Sequence, residues 1–120
     1  MAKPRFLLDE HVNQAIQRQL WRLDVSIEVL AVGDSDAPGI GTTDPNILVW
    51  IEENGYILVT ENRRTIPAHL SDHYSKGRHI PGLFWLRPSV GLGEIIEELY
   101  LIWLTSTADE FEDRTLYLPL

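Results

Sequence analysis

The chain has 120 residues, 44% of them hydrophobic and 23% charged, which fits a single domain over 1–120 with its own core and excludes a disordered or fibrous chain. Ten Lys and Arg against 18 Asp and Glu leave a net charge of −8, excluding a surface that coats nucleic acid or anionic lipid over its whole extent. The absence of cysteine excludes disulfides, thiolate catalysis and cysteine-ligated zinc, and the apolar run from Phe6 is too short for a signal peptide or a span, so the expectation is a cytoplasmic protein with no membrane contact.

In chain order, Arg5–Leu8 is a short apolar run that stops at Asp9-Glu10, a buried strand ending in two acids. From Glu10 to Leu23 apolar residues recur at Val12, Ala15, Ile16, Leu20 and Leu23, the spacing of one helix face. Ser26–Val32 reads as a second strand and Gly33–Thr43 as a loop by composition. Asp44-Pro45 opens the clearest helix, with Asp44 of a preferred N-cap type and Gly55 after Asn54 as a left-handed stop. Tyr56–Thr60 is a third strand, apolar throughout and so covered on both faces. Pro67–Lys76 follows as a short helix ended by Gly77, Gly82–Leu86 as a fourth strand, Leu92–Thr105 as a strongly apolar helix, and Thr115–Leu120 as a last edge strand. Strands separated by helices need crossover connections. The alternation therefore predicts a three-layer α/β/α fold around a mostly parallel sheet of four to five strands.

In such sheets ligands sit beyond the carboxyl ends of the strands. Three clusters fall there: Asp9 and Glu10 after the first strand, Asp44 after the long loop, and Thr60, Glu61 and Asn62 after the third strand. Carboxylates gathered at one rim suit Mg²⁺ or Mn²⁺, which keep several waters and act on phosphates. Each acid also has a structural account. Asp9 and Glu10 favour a helix start, Asp44 caps a helix, and Glu61 is a solvated loop acid.

Between Asn62 and Gly93 stand five basic residues and one acid, a net of +4 that leaves −12 elsewhere. Such asymmetry marks either a nucleic-acid face or chance clustering. Arg63, Arg64, Lys76 and Arg78 are the candidates for RNA phosphates. His69 and His73, four apart, share a helix face, and a polar exposed face explains them better than zinc because no cysteine accompanies them. Trp50, Trp85 and Trp103 fall in apolar patterns and read as core. The helix from Ile95 to Leu104 is apolar nearly all round, which points to a homodimer contact.

Arg-Phe-Leu-Leu-Asp-Glu-His-Val (5–12) resembles the opening of the small PIN-like proteins of bacteria, and Asp44 with Ile47-Leu48, Glu52-Glu53-Asn54-Gly55 and Tyr-Ile-Leu-Val-Thr (56–60) resembles their next block. The likeness covers roughly residues 5–66. It implies a PIN-type fold, a metal-dependent ribonuclease site and service as the toxin of a toxin–antitoxin pair, with RNA and an antitoxin protein as partners. Carried over, Asp9 is the first metal-binding acid, Asp44 the second, and Thr60 the threonine before the third acidic site. That family follows the threonine with Asp-x-Asp from two positions on. This chain has Asn62-Arg63-Arg64 there, and its carboxylate, Glu61, comes one position early.

Two functions of different class follow. One is a Mg²⁺- or Mn²⁺-dependent endoribonuclease with Asp9, Asp44 and Glu61 as ligands, Glu10, Thr60 and Asn62 in support, and the arginines on phosphate. The other is a catalytically silent PIN-like module that binds RNA or a partner protein. A phosphoacceptor receiver domain is excluded because Val59-Thr60 is followed by Glu61 and Asn62, with no aspartate to phosphorylate.

Overall fold

Short runs without polar interruption become strands in the computed structural model, which describes residues 2–120: β1 (Phe6–Leu8), β2 (Val29–Ala31), β3 (Ile57–Thr60) and β4 (Leu83–Leu86). Thr115–Leu118 adds β5, less buried because it is an edge. Between the strands run α1 (Ala15–Leu23), α2 (Asp44–Asn54), α3 (Ile66–Ser75) and α4 (Leu92–Thr105). The five strands are ordered β2-β1-β3-β4-β5 and every neighbouring pair is parallel. The order reverses between β1 and β3, and the crevice at that reversal is where doubly wound sheets take their ligands.

Side chains alternate across the sheet, and each face meets its own pair of helices. Phe6, Leu8, Val59 and Phe84 pack with Ile16 and Leu20 of α1 and Ile95 and Leu99 of α4. Leu7, Leu58, Leu83 and Trp85 pack with Leu48 and Ile51 of α2 and Ile66 and Leu70 of α3. The result is the expected three-layer α/β/α arrangement, with the sheet wholly rather than mostly parallel. The exposed Leu101 and Leu104 lie on the outer side of α4. No helix among the described residues is long and apolar enough to cross a membrane.

Four local expectations need correction. The first helix begins at Ala15 rather than Glu10: the Val12 N–H bonds back to the Asp9 carbonyl in a turn, and the Asn13 side chain accepts the Ala15 N–H at 2.9 Å. The second strand is only three residues long. Asp44 is not the cap of α2. Thr43 holds the N-cap position with extended backbone and Asp44 is the first helical residue, followed by Pro45, which frees the Asp44 carboxylate for other work. A 3₁₀ turn at Ala108–Phe111, closed by a reciprocal Thr107–Glu110 capping box, is an element the sequence pattern missed. Gly55 does end α2 at φ 76°, as read from the sequence. Gly82 (φ 154°) lets the start of β4 pass within 3.0 Å of Phe111 Cβ, measured from where its own Cβ would stand.

Candidate acidic site at the carboxyl rim

β1 and β3 are neighbours in register, Leu8 beside Val59, so the residues that follow them, Asp9 and Thr60, stand side by side at the reversal point. Thr60 is fully buried, and its hydroxyl is satisfied twice: it donates to Asp9 Oδ2 at 2.7 Å and accepts the Asn62 N–H at 3.0 Å. Asp9 Oδ1 accepts the Glu10 N–H at 2.8 Å. Both oxygens of Asp9 are thereby oriented while each keeps a lone pair.

Asp44 reaches the same place from the start of α2. Its Oδ2 accepts the Thr65 hydroxyl at 2.6 Å and lies 3.5 Å from Asn62 Nδ2, with His69 Nε2 3.9 Å away. Asn62 also donates to Thr65 Oγ1 at 2.8 Å, and its Oδ1 accepts the Arg64 and Thr65 N–H groups, which turns the chain into α3. Glu10 serves the long loop: its Oε1 accepts the Gly41 N–H at 2.8 Å and pins residues 39–42 beside the rim. Asp9, Glu10, Asp44, Thr60, Glu61 and Asn62 together line an open cavity of about 390 Å³.

Four carboxylates share this cavity, yet among the described residues no lysine or arginine comes within 4.0 Å of any of them; the basic side chains within that distance are His11 beside Glu10 and His69 beside Asp44. Among the described residues, no three His, Asp or Glu side chains converge closely enough to grip an ion by themselves. Glu61 lines the cavity but is exposed, and it also borders a second hollow lined by Val12, Ile16 and Ile95 on the α1/α4 side. The donor set therefore does not fit a closed protein cage of the zinc type. It fits a hydrated Mg²⁺ or Mn²⁺ held by one or two carboxylates, with water and substrate oxygens completing the shell.

The four basic candidates divide. Arg63 and Arg64 lie in the loop at this rim. Arg63 Nη2 donates to the Leu86 carbonyl at 3.2 Å, and the Arg64 side chain is exposed. Lys76 and Arg78 follow the end of α3, toward the amino-terminal ends of the strands, where Arg78 Nε binds Glu52 Oε1 at 2.8 Å.

His73 is there too, and it is buried rather than on an exposed helix face: its Nε2 lies 2.9 Å from the His79 carbonyl oxygen and 3.2 Å from Glu52. In the same cluster His79 Nδ1 and Asp113 Oδ2 are 2.6 Å apart. The hydrogen bond and charge of Asp113 hold the His79 imidazole above its ordinary range. Desolvation pushes Asp113 up, but the Ile80 N–H and His79 outweigh it and keep the carboxyl below the usual carboxylate range.

Both Thr65 and His69 lie on Asp44; Thr65 was not singled out from the sequence, and His69 was weighed there only with His73 on a polar helix face. The signal for Thr65 was present as Asn-x-x-Thr before a helix, a turn-and-cap pattern. His69 needed the distance to α2. Compared with family models, curated proteins and solved structures, the chain matches none.

Proposed function

We propose that this acidic cavity takes a hydrated Mg²⁺ or Mn²⁺ together with an RNA phosphate, and that the chain is a metal-dependent endoribonuclease of the PIN-like type. One observation carries the reading: carboxylates from three separate segments line one cavity at the sheet's reversal point without a lysine or arginine to neutralise them. Uncompensated charge of this kind opposes folding and is kept where a cation is to be bound. The ion supplies charge neutralisation at the phosphate and activation of a water. Asp9 and Asp44 are the residues that would hold it, because both carboxylates are already fixed by hydroxyl donors, Thr60 and Thr65. Glu10 keeps the loop 39–42 in place beside them, and Glu61 stands at the exposed margin. In the toxin role that the resemblance implies, an antitoxin protein would restrain the enzyme. The homodimer contact would use the exposed Leu101 and Leu104 of α4, and sedimentation equilibrium of Leu101→Glu reads it directly.

A second reading is favoured by the circuit that Asn62 closes with Asp44 and Thr65, because an amide stands where a third carboxylate would complete the ligand set. On that reading the chain is a silent module that binds RNA or a partner protein. Calorimetric titration with Mn²⁺, comparing the wild type with Asp9→Asn and Asp44→Asn, separates the two. Stoichiometric binding lost in both variants, with metal-dependent cleavage of RNA lost alongside, supports the nuclease. A wild type that neither binds Mn²⁺, with or without RNA, nor cleaves sinks it.

A further inference from the structure

Beside the acidic cavity the rim carries a group of opposite character. Tyr117 of β5 stands directly across from Trp85 of β4, and Trp85 stands across from Thr60. Tyr117 is 46% exposed as a residue, and its ring stacks on that of the buried Trp85, with centroids 6.4 Å apart and planes 28° from parallel. Two guanidinium groups lie over it, Arg63 at 5.0 Å and Arg87 at 5.3 Å from the ring centroid. Each is fixed by a backbone carbonyl: Arg63 on Leu86, and Arg87, through Nε, on Pro119 at 2.8 Å. A guanidinium has five donors, so most remain free. Neither has a carboxylate partner within 4.0 Å among the described residues, unlike Arg5 and Arg78, which pair with Glu28 and Glu52.

A half-exposed aromatic ring with two preoriented, unneutralised guanidiniums over it is a combination that holds single-stranded nucleic acid: a base stacks on the outward guanidinium plane or takes its place on the ring, and the flanking phosphates take the free N–H donors. Its position gives it a use. Thr60, Trp85 and Tyr117 lie on the same face of the sheet and at the same level, and the Thr60 hydroxyl is the one that holds Asp9. Three strand spacings, ~14 Å, therefore separate Tyr117 from Asp9 along the rim. An open cavity of about 420 Å³ lined by Glu61, Arg63, Leu86, Pro88 and Ser89 shares Arg63 with this group and Glu61 with the acidic cavity.

We propose that Tyr117, Arg63 and Arg87 form a platform for single-stranded RNA that delivers a phosphate to the acidic cavity. The delivery rests on the nuclease reading; the binding does not. The competing account is that the arginines merely cover the open edge of β5.

The test uses the Asp9→Asn chain in EDTA, where no cleavage can occur, with a short fluorescent oligouridylate and anisotropy at low salt. Adding Tyr117→Leu should weaken binding about 5- to 100-fold, with Tyr117→Trp restoring it. Adding Arg63→Gln and Arg87→Gln together should flatten the dependence of log affinity on log salt by about 1.4. Thermal melts run alongside. Unchanged affinity and salt slope with a lowered melting temperature would assign the cluster to the sheet edge and overturn the proposal. No binding by the Asp9→Asn chain itself, or tighter binding of duplex RNA than of the single strand, would also overturn it. RNA binding that follows these residues, in a wild type that never cleaves, would instead keep the platform and reject the nuclease.

Discussion

Replacing Thr60 by valine keeps the shape of a fully buried side chain and removes one hydroxyl. That hydroxyl donates to a carboxylate at 2.7 Å, and a hydrogen bond to a charged group is worth ~1.5–3 kcal/mol. The Asn62 N–H loses its acceptor as well, but Asn62 is half-buried and water can replace part of that bond. The expected loss is ~2 kcal/mol. With an unfolding entropy of ~0.25 kcal/mol/K for a domain of this length, the melting temperature should fall by ~8 °C. A second variant, Asp9→Ala, removes the acceptor and strands the Thr60 hydroxyl in the core, so it should cost a similar amount. Because each variant breaks the same bond, the double variant should cost less than their sum by ~1–2 kcal/mol. Urea denaturation of all four proteins measures this, provided the denaturant slopes agree. Effects additive to within ~0.5 kcal/mol would refute the claim that Thr60 holds Asp9. The Thr60→Val chain should also bind Mn²⁺ ~10-fold more weakly, as loss of a partner that orients a ligand usually does.

The His79–Asp113 pair at the amino-terminal end of β4 and β5 sets a pH window. Its contribution from His79, whose folded pKa is raised, is complete below the ordinary imidazole range and is lost as pH climbs through the raised value. That from Asp113, whose folded pKa is lowered, is complete above the ordinary carboxylate range and is lost as pH drops through the lowered value. The wild type minus Asp113→Asn difference in melting temperature should thus peak between those ranges, and a difference that does not change with pH would rule the pair out as a contributor. Asn62→Asp should have two opposed effects. It places a carboxylate beside Asp44 and removes the donor to Thr65, costing ~1–2 kcal/mol without metal, and it raises Mn²⁺ affinity at least ~10-fold by completing the ligand set. Unchanged affinity in calorimetry would count against a metal at this rim.

Much of the fold was legible because local signals agreed with one another. Residues 56–60 are apolar with no turn residue, and Gly55 before them can adopt the left-handed conformation that ends a helix, so both the stop of α2 and the start of β3 follow. The start of α1 was not legible. Val12 shows helical spacing with Ile16 and Leu20, but the turn that seats it on the core closes through the Asp9 carbonyl, which periodicity does not encode. The cap of α2 misled for a simpler reason: Thr43 and Asp44 are both good capping types, and only the backbone tells which one stands outside the helix. The burial of His73 was hidden in the same way, because its partners, Glu52 and the His79 carbonyl, come from outside α3.

The site itself was half legible, and strand alternation accounts for the division. Asp9 and Thr60 end neighbouring parallel strands, so their meeting follows from topology once the sheet is granted. Beyond Thr60, side chains two apart return to the same side, and Asn62, not Glu61, is the residue that meets Asp44, while Glu61 is shared with the hollow on the α1/α4 side. The basic segment divides along the same geometry. α3 runs back from the carboxyl to the amino ends of the strands, so Arg63 stays at the rim while Lys76 and Arg78 are carried to the amino-terminal side, where Arg78 is neutralised by Glu52. Arg87, just after β4, stands with Arg63 over Tyr117, although the sequence pointed to Lys76 and Arg78 rather than Arg87 as phosphate candidates. The net of +4 between Asn62 and Gly93 is therefore not one face, and the proposed RNA platform draws on Arg63 and Arg87 of that segment, the two guanidiniums over Tyr117, and not on Lys76 or Arg78.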